Sequence, residues 1–279
     1  MDSSFLKKKF NESLHGIYSS EELNIIYYIV MQQLTYKSKV ELMTNNYKLS
    51  HEKEKLFFEY IVRLSNNEPF QYILGKTLFN NLEFELDSSV LIPRPETEEL
   101  VDLIIKYKCK KEKILDVCSG SGCIAITLAK YVQKSNVTAL EICSNAVKII
   151  SKNAAKHNVK IDVICEDFLT FHTNCTYDLI VSNPPYLTYS QKDKIPKNVL
   201  NFEPNKALFI NDSDPLIFYK SILDFSESNL NVCGNIFFEI NHIFCDEMIQ
   251  LVSKYQNFSY KLIKDFNEKN RFMILQKNV

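Results

Sequence analysis

The chain has 279 residues, 46% of them hydrophobic and 24% charged, and a formal net charge of −1. This is ordinary globular composition, and the near-neutral balance, with arginine only at 63, 94 and 271, argues against a protein whose affinity comes mainly from neutralising phosphates. The eight cysteines contain no Cys-x-x-Cys pair, no stretch nears the roughly 18 apolar residues of a membrane span, and no long apolar run follows Lys7-Lys8-Lys9. A cytoplasmic protein with reduced thiols, no metal and no membrane contact is therefore expected.

Residues 1 to about 66 read as amphipathic helices. Leu23, Ile26, Tyr27, Val30 and Leu34 recur at helical spacing, as do Leu56, Phe57, Tyr60, Ile61 and Leu64. The pairs Tyr27-Tyr28 and Phe57-Phe58 are read as core. Alternation at Leu82, Phe84 and Leu86, with an Asn80-Asn81 pair suited to positive φ, then predicts a β-hairpin between the helices and Pro95.

From Pro95 onward strands and helices alternate, which predicts parallel βαβ units in a doubly wound α/β sheet. Glu96, Glu98 and Glu99 suit the start of a helix whose apolar face is Leu100, Val101, Ile104 and Ile105. Strands are expected at Lys113–Val117, Val137–Glu141, Ile161–Cys165, Tyr177–Ser182 and Asn235–Ile240, with a terminal hairpin from Tyr260–Lys264 and Arg271–Gln276. Helices are expected at Ser144–His157 and Pro215–Ser226.

Asp116-Val117-Cys118-Ser119-Gly120-Ser121-Gly122 follows the first of these strands and opens an apolar helix, the context in which glycines admit a ligand to free backbone amides. A plain tight βα turn explains that loop equally well. Glu141, about 20 residues beyond the glycines, stands where a carboxylate can accept both ribose hydroxyls. Asp167 and Phe168, after the third strand, could hold an adenine by hydrogen bond and stacking, although Phe168 also suits ordinary core.

The fourth strand runs into Asn183-Pro184-Pro185-Tyr186, at the carboxyl edge where open α/β sheets bind ligands. Two prolines fix φ twice and offer no N–H, so the neighbouring carbonyls meet no competing donor. An amide nitrogen is a poor nucleophile. If the Asn183 side-chain oxygen and the Pro184 carbonyl both accept from a planar NH2, they aim its lone pair, and Tyr186 can stack on the group beside a sulfonium charge. The chemistry expected is methylation of a planar amide or amine nitrogen from S-adenosylmethionine.

These residues resemble the HemK/PrmC family, the protein-(glutamine-N5) methyltransferases that modify class I peptide chain release factors. The resemblance covers nearly the whole chain and rests on Leu91 to Glu98, Asp116 to Gly122, Asn183 to Tyr186, and Phe202-Glu203-Pro204 with Ala207-Leu208. It implies a class I methyltransferase (Rossmann-like) fold with a seven-stranded sheet in residues 96–279, an N-terminal helical substrate-binding domain in 1–66 and a β-hairpin bridge in 67–95. It also implies that the target is the glutamine of the release factor's Gly-Gly-Gln loop; the near-neutral charge leads us to expect no direct nucleic-acid contact, and a monomer is expected.

Carried over by position, Cys118 to Gly122 would wrap the methionine part of the cofactor, Glu141 the ribose, and Asp167 and Phe168 the adenine. Asn183 would touch cofactor and substrate, and Arg94, Pro95, Glu96 and Thr97 would line the site mouth beside Pro184, Pro185 and Tyr186.

Four departures stand out: Cys118 where the loop usually begins with glycine, Glu141 where aspartate is more usual, Asn241 where glycine often follows Glu-Ile, and Glu268 where glycine is common. If Cys118 needs positive φ it is strained. Two rival functions share part of this pattern. An adenine-N6 nucleic-acid methyltransferase uses an Asn/Asp-Pro-Pro-aromatic loop on a flipped base, and a binding protein could keep the fold without turnover.

Overall fold

A computed structural model describes residues 1–107 and 113–278. Two compact units divide them: Met1–Gly75 with Pro196–Phe202, and Lys76–Ile195 with Glu203–Val279.

The first unit is helical: α1 (Ser3–Leu14), α2 (Ser20–Thr35), α3 (Lys39–Thr44), α4 (His51–Ser65) and α5 (Phe70–Leu74). Side-chain caps set the starts. Ser19 with Glu22, and Ser38 with Glu41, form reciprocal capping boxes, and Ser50 caps α4. The apolar stripes meet in a core containing Phe10, Tyr27, Phe57 and Leu64. Tyr28 is buried with them, whereas Phe58 packs at the edge.

The second unit opens with a hairpin, β1 (Lys76–Phe79) and β2 (Leu82–Glu85), paired Phe79 to Leu82. Asn80 and Asn81 turn it at φ 49° and 61°, a conformation asparagine tolerates better than branched residues. Pro95 then begins α6 (Pro95–Lys106) at a position that needs no N–H. There follow β3 (Lys113–Val117), α7 (Cys123–Tyr131), β4 (Asn136–Glu141), α8 (Ser144–His157), β5 (Asp162–Cys165), β6 (Tyr177–Ser182) and β7 (Leu187–Thr188). After α9 (Lys197–Phe202), which groups with the first unit, come α10 (Asn205–Leu208), β8 (Phe209–Ile210), α11 (Ile217–Asn229), β9 (Leu230–Glu239), α12 (Cys245–Val252), β10 (Phe258–Lys264) and β11 (Asn270–Lys277).

The central sheet has seven strands in the order β10-β11-β9-β6-β3-β4-β5. The five from β9 to β5 are parallel, while β11 runs antiparallel to β9 and to β10. Residues alternate between the faces as the pleat requires. Ile114, Val137, Leu179, Val181 and Phe237 pack with α6, α7 and α8, whereas Leu115, Leu140, Ile180, Ile236 and Phe238 pack with α11 and α12. The chain winds outward from β3 through β4 to β5 and returns to β6 on the other side of β3. That reversal is the topological switch point at which open α/β sheets place ligands. Val117 pairs with Ser182, so the loops after β3 and β6 leave the sheet side by side.

No helix among the described residues is long and apolar enough to cross a membrane, and no cluster of His, Cys, Asp or Glu that could hold a metal occurs among them. Seven described cysteines are free thiols; Cys109 lies outside the described residues.

Candidate active site

A cleft of about 280 Å³ opens at the switch point. Among its walls are Cys118 and Gly120 from the loop after β3, Glu141 after β4, Asp167 and Phe168 after β5, and Asn183 and Pro185 after β6. Chain reversal thus gathers residues spread over 68 positions of sequence, from 118 to 185.

The glycine loop is held from both sides. Ser119 N–H donates to the Leu140 carbonyl at 3.1 Å, and Gly120 N–H donates to Glu141 Oε2 at 2.8 Å. Gly120 has φ +55° and a Cβ there would meet open space, so its bare backbone forms the floor. Gly122 has φ +79°, and a Cβ would lie 3.0 Å from Ile126 and 3.1 Å from Ile150, which makes glycine a packing requirement between α7 and α8. Ser119, Ser121 and Gly122 shape the loop from behind and do not line the cleft. Asp116 sits under it, fully buried, with Oδ2 accepting from Ala125 N–H at 3.1 Å and Oδ1 without a partner. Burial raises its carboxyl to about 7.

Cys118 adopts φ +62°, the left-handed region in which a Cβ is unfavourable. Burial lifts its thiol well above the ordinary range, so the group is poorly reactive despite facing the cleft. Glu268 is likewise left-handed at φ +60°, but Asn241 is not: at φ −75° its side chain accepts from Ile243 N–H and donates to the Tyr186 carbonyl at 3.3 Å. The glycine absent at 241 is therefore not needed there.

Glu141 is 8% exposed, with Oε1 accepting from Cys143 N–H at 2.9 Å and Oε2 from Gly120. Each oxygen keeps a second lone pair for a ligand hydroxyl. Burial raises its pKa. Phe168 lies edge-on to Phe225, with ring centroids 5.5 Å apart, and is itself mostly core. Asp167 spends one oxygen on Leu169 N–H at 3.0 Å. Three carboxylates, those of Glu141, Glu166 and Asp167, face one ammonium, that of Lys206. Such a lining suits a ligand carrying positive charge and repels the pyrophosphate of a dinucleotide.

At the Asn183 end of the cleft, Asn183 Nδ2 donates to Thr97 Oγ1 at 3.1 Å, Thr97 Oγ1 donates to Glu239 Oε2 at 2.7 Å, and Tyr186 OH donates to Glu239 Oε1 at 3.2 Å. The Tyr219 hydroxyl donates to the Glu239 carbonyl at 2.9 Å. Burial lifts the Glu239 carboxyl to about 6 and the Tyr186 phenol above its usual range. Pro184 is buried, and neither it nor Tyr186 lines the cleft itself.

The segment expected at the mouth is more structural than that expectation. Arg94 pairs with Glu203 at 2.6 Å, a carboxylate that also accepts from Ile92 N–H at 3.3 Å, and Thr97 is 3% exposed. Pro95 is exposed and Glu96 half-buried at the start of α6, and none of the four lines the cleft.

Glu239 and Glu203 were not singled out by charge or spacing. A strand-end acid on β9 was the available signal, because Ser182 pairs with Phe238 and Asn183 and Glu239 therefore leave adjacent strands together. The walls from Ser89, Val90, Pro204, Ala207 and Phe218 had no signal beyond the family motifs around them.

The chain is similar to proteins of known family. Residues 96–205 match a family described as the methyltransferase small domain, and residues 7–75 match the PrmC N-terminal domain. It is 37% identical over 274 residues to a release factor glutamine methyltransferase of Flavobacterium psychrophilum, covering 96% of both chains. It is 36% identical to one of Bacteroides thetaiotaomicron, covering 94% of this chain and 95% of the relative. Among solved structures, a Pyrococcus furiosus methyltransferase superposes with a TM-score of 0.54 at 16% identity, over 78% of this chain and 98% of that one. A ribosomal protein L11 methylase of Lactobacillus delbrueckii gives 0.51 at 20%, over 70% and 84%, and the two likenesses speak to fold alone.

Proposed function

From the premise that this chain belongs to the release factor glutamine methyltransferase family, we propose that it methylates the side-chain amide nitrogen of the glutamine in the Gly-Gly-Gln loop of class I peptide chain release factors, with Asn183 to Tyr186 as its reactive loop. The observation that carries this reading is the Asn183 amide, which lines the cleft with one N–H held by Thr97, and Oδ1 is the end taken to meet the substrate.

S-adenosylmethionine, when bound, supplies an electrophilic methyl group on a cationic sulfur. Gly120, Glu141, Asp167 and Phe168 are the residues that would hold it, and the acidic lining fits its positive charge. The target NH2 donates one hydrogen to Asn183 Oδ1 and the other to the Pro184 carbonyl. Both acceptors polarise the NH2, raising electron density on nitrogen, and aim its lone pair at the methyl carbon. The methyl–sulfur bond of the bound cofactor would supply the methyl group and keep its electron pair on sulfur, and the proton displaced from the target NH2 would pass to solvent. No strong base is required. Positioning and electrostatics supply the catalysis.

The net charge of −1 supports a protein partner rather than nucleic acid, and the same reading has a monomer meeting that partner in the cytoplasm. Asn183→Ala tests the loop. Turnover on a purified release factor should fall about 100-fold while the Kd for S-adenosylmethionine changes only about threefold. Equal losses in both would contradict an orienting role.

A further inference from the structure

We infer that Thr97 and Glu239 form a relay that dictates which end of the Asn183 amide faces the substrate, and that they act as positioning residues for methyl transfer. The inference rests on the reading of Asn183 given above.

An ionised carboxylate only accepts hydrogen bonds. Glu239 accepts from Thr97 on one oxygen and from Tyr186 on the other. The Thr97 hydroxyl has a single proton, and the 2.7 Å contact to Glu239 takes it. Toward Asn183, therefore, Thr97 can only accept, and the neighbour it selects is the amide NH2. Oδ1, on the opposite side of the planar amide, is left for the incoming NH2. One carboxylate thus orients the acceptor and tethers the stacking ring.

Reversing the chain shows why the direction matters. Were Glu239 protonated and donating to Thr97, the hydroxyl could donate to Asn183 Oδ1, and the amide would turn its NH2 toward the substrate. Two NH2 groups would then face each other, and the Pro184 carbonyl alone would be left to accept from the target. The relay is closed off from solvent: Thr97 is 3% and Glu239 1% exposed, one on α6 and the other ending β9, beside the strand that delivers Asn183. The charged and titratable groups facing Glu239 are Glu96 of α6, Cys123 of α7, Tyr186, Tyr219 of α11 and Arg271 of β11. Arg271 favours the anion, and Glu96 and burial oppose it.

The test measures methyl transfer to a purified class I release factor, with S-adenosylhomocysteine binding followed in parallel. Thr97→Val should lower kcat about 10- to 100-fold while the release-factor KM and the ligand Kd stay within about threefold. Thr97→Ser, which keeps the hydroxyl, should recover kcat to within about threefold of the parent. In an Asn183→Ala background, Thr97→Val should add less than about twofold, because the relay then has nothing to orient. Parent kcat should fall as pH drops through about 6, and Glu239→Gln should be slower but flat across that range.

If Asn183→Ala is impaired while Thr97→Val matches the parent, the relay is wrong and the reading of Asn183 stands. If Asn183→Ala turns over like the parent, the reading of Asn183 falls with it. Should Thr97→Val not fold, the Glu239→Gln profile decides: a retained acid limb overturns the relay.

Discussion

Cys118 concentrates the residue-scale question, because it combines a left-handed backbone with a place in the cofactor cleft. A non-glycine residue there costs about 1 kcal/mol or more. Alanine normally outranks glycine in stability, since glycine gives up more chain entropy on folding. At position 118 the order should invert, with Cys118→Gly about 1 kcal/mol more stable than Cys118→Ala in denaturant unfolding. Finding alanine equal or better would show that the loop carries no such strain.

The Asn-Pro-Pro-Tyr and glycine loops stand out in sequence because their chemistry is local: fixed φ, absent donors, close approach. Thr97 was legible as important but misplaced, since nothing in Arg94-Pro95-Glu96-Thr97 says that the threonine turns inward to Asn183. Glu239 was silent because its role depends on β9 lying beside β6, a pairing formed between residues about 50 positions apart.

At the scale of elements, Asn153 of α8 joins two pieces of the second unit. Its Oδ1 accepts from Glu85 N–H at 2.7 Å, and its Nδ2 donates to the Glu85 carbonyl and to the Ser121 carbonyl, each at 3.1 Å. The side chain mimics a neighbouring strand for β2 and braces the glycine loop together with it. Asn153→Ala would leave three partly or fully buried backbone groups unpaired, and should cost about 3 kcal/mol and weaken cofactor binding roughly tenfold. Calorimetric titration of the folded variant would check this, and unchanged affinity would show that the loop stands without its brace.

Helix α8 and strands β3 and β6 fall on the residues expected from pattern, for buried strands and amphipathic faces declare themselves. Strand β9 begins at Leu230, earlier than Asn235, because Cys233 at φ 62° and Gly234 break the alternation inside it. The pairs β7 with β8 and the short helices α9 and α10 carry too few residues for any period to emerge.

Across the whole molecule, buried acids shape the response to pH. Asp116 is raised from 3.8 to about 7 and Glu239 from 4.5 to about 6, and Glu141 is also raised. At these three groups the folded state therefore binds protons more tightly than the unfolded chain between about pH 4 and 7, against Asp265, whose carboxyl is held low by backbone N–H groups and by Arg271. Their contribution to stability is present at the acid end of that window and is lost as pH rises through it, by at most about 1.4 kcal/mol per pH unit for each group. Asp116→Asn should flatten the fall in Tm between about pH 4.5 and 7 relative to the parent. A slope identical in both proteins would remove Asp116 from the account.

Whether the methyl group goes to a protein amide or to a base is decided by offering labelled S-adenosylmethionine with a purified class I release factor and with duplex DNA. Label should appear only in the release factor, on the peptide carrying Gly-Gly-Gln, as one added methyl on the glutamine side chain. Label in the DNA, or on any other residue of the release factor, would contradict transfer to that glutamine.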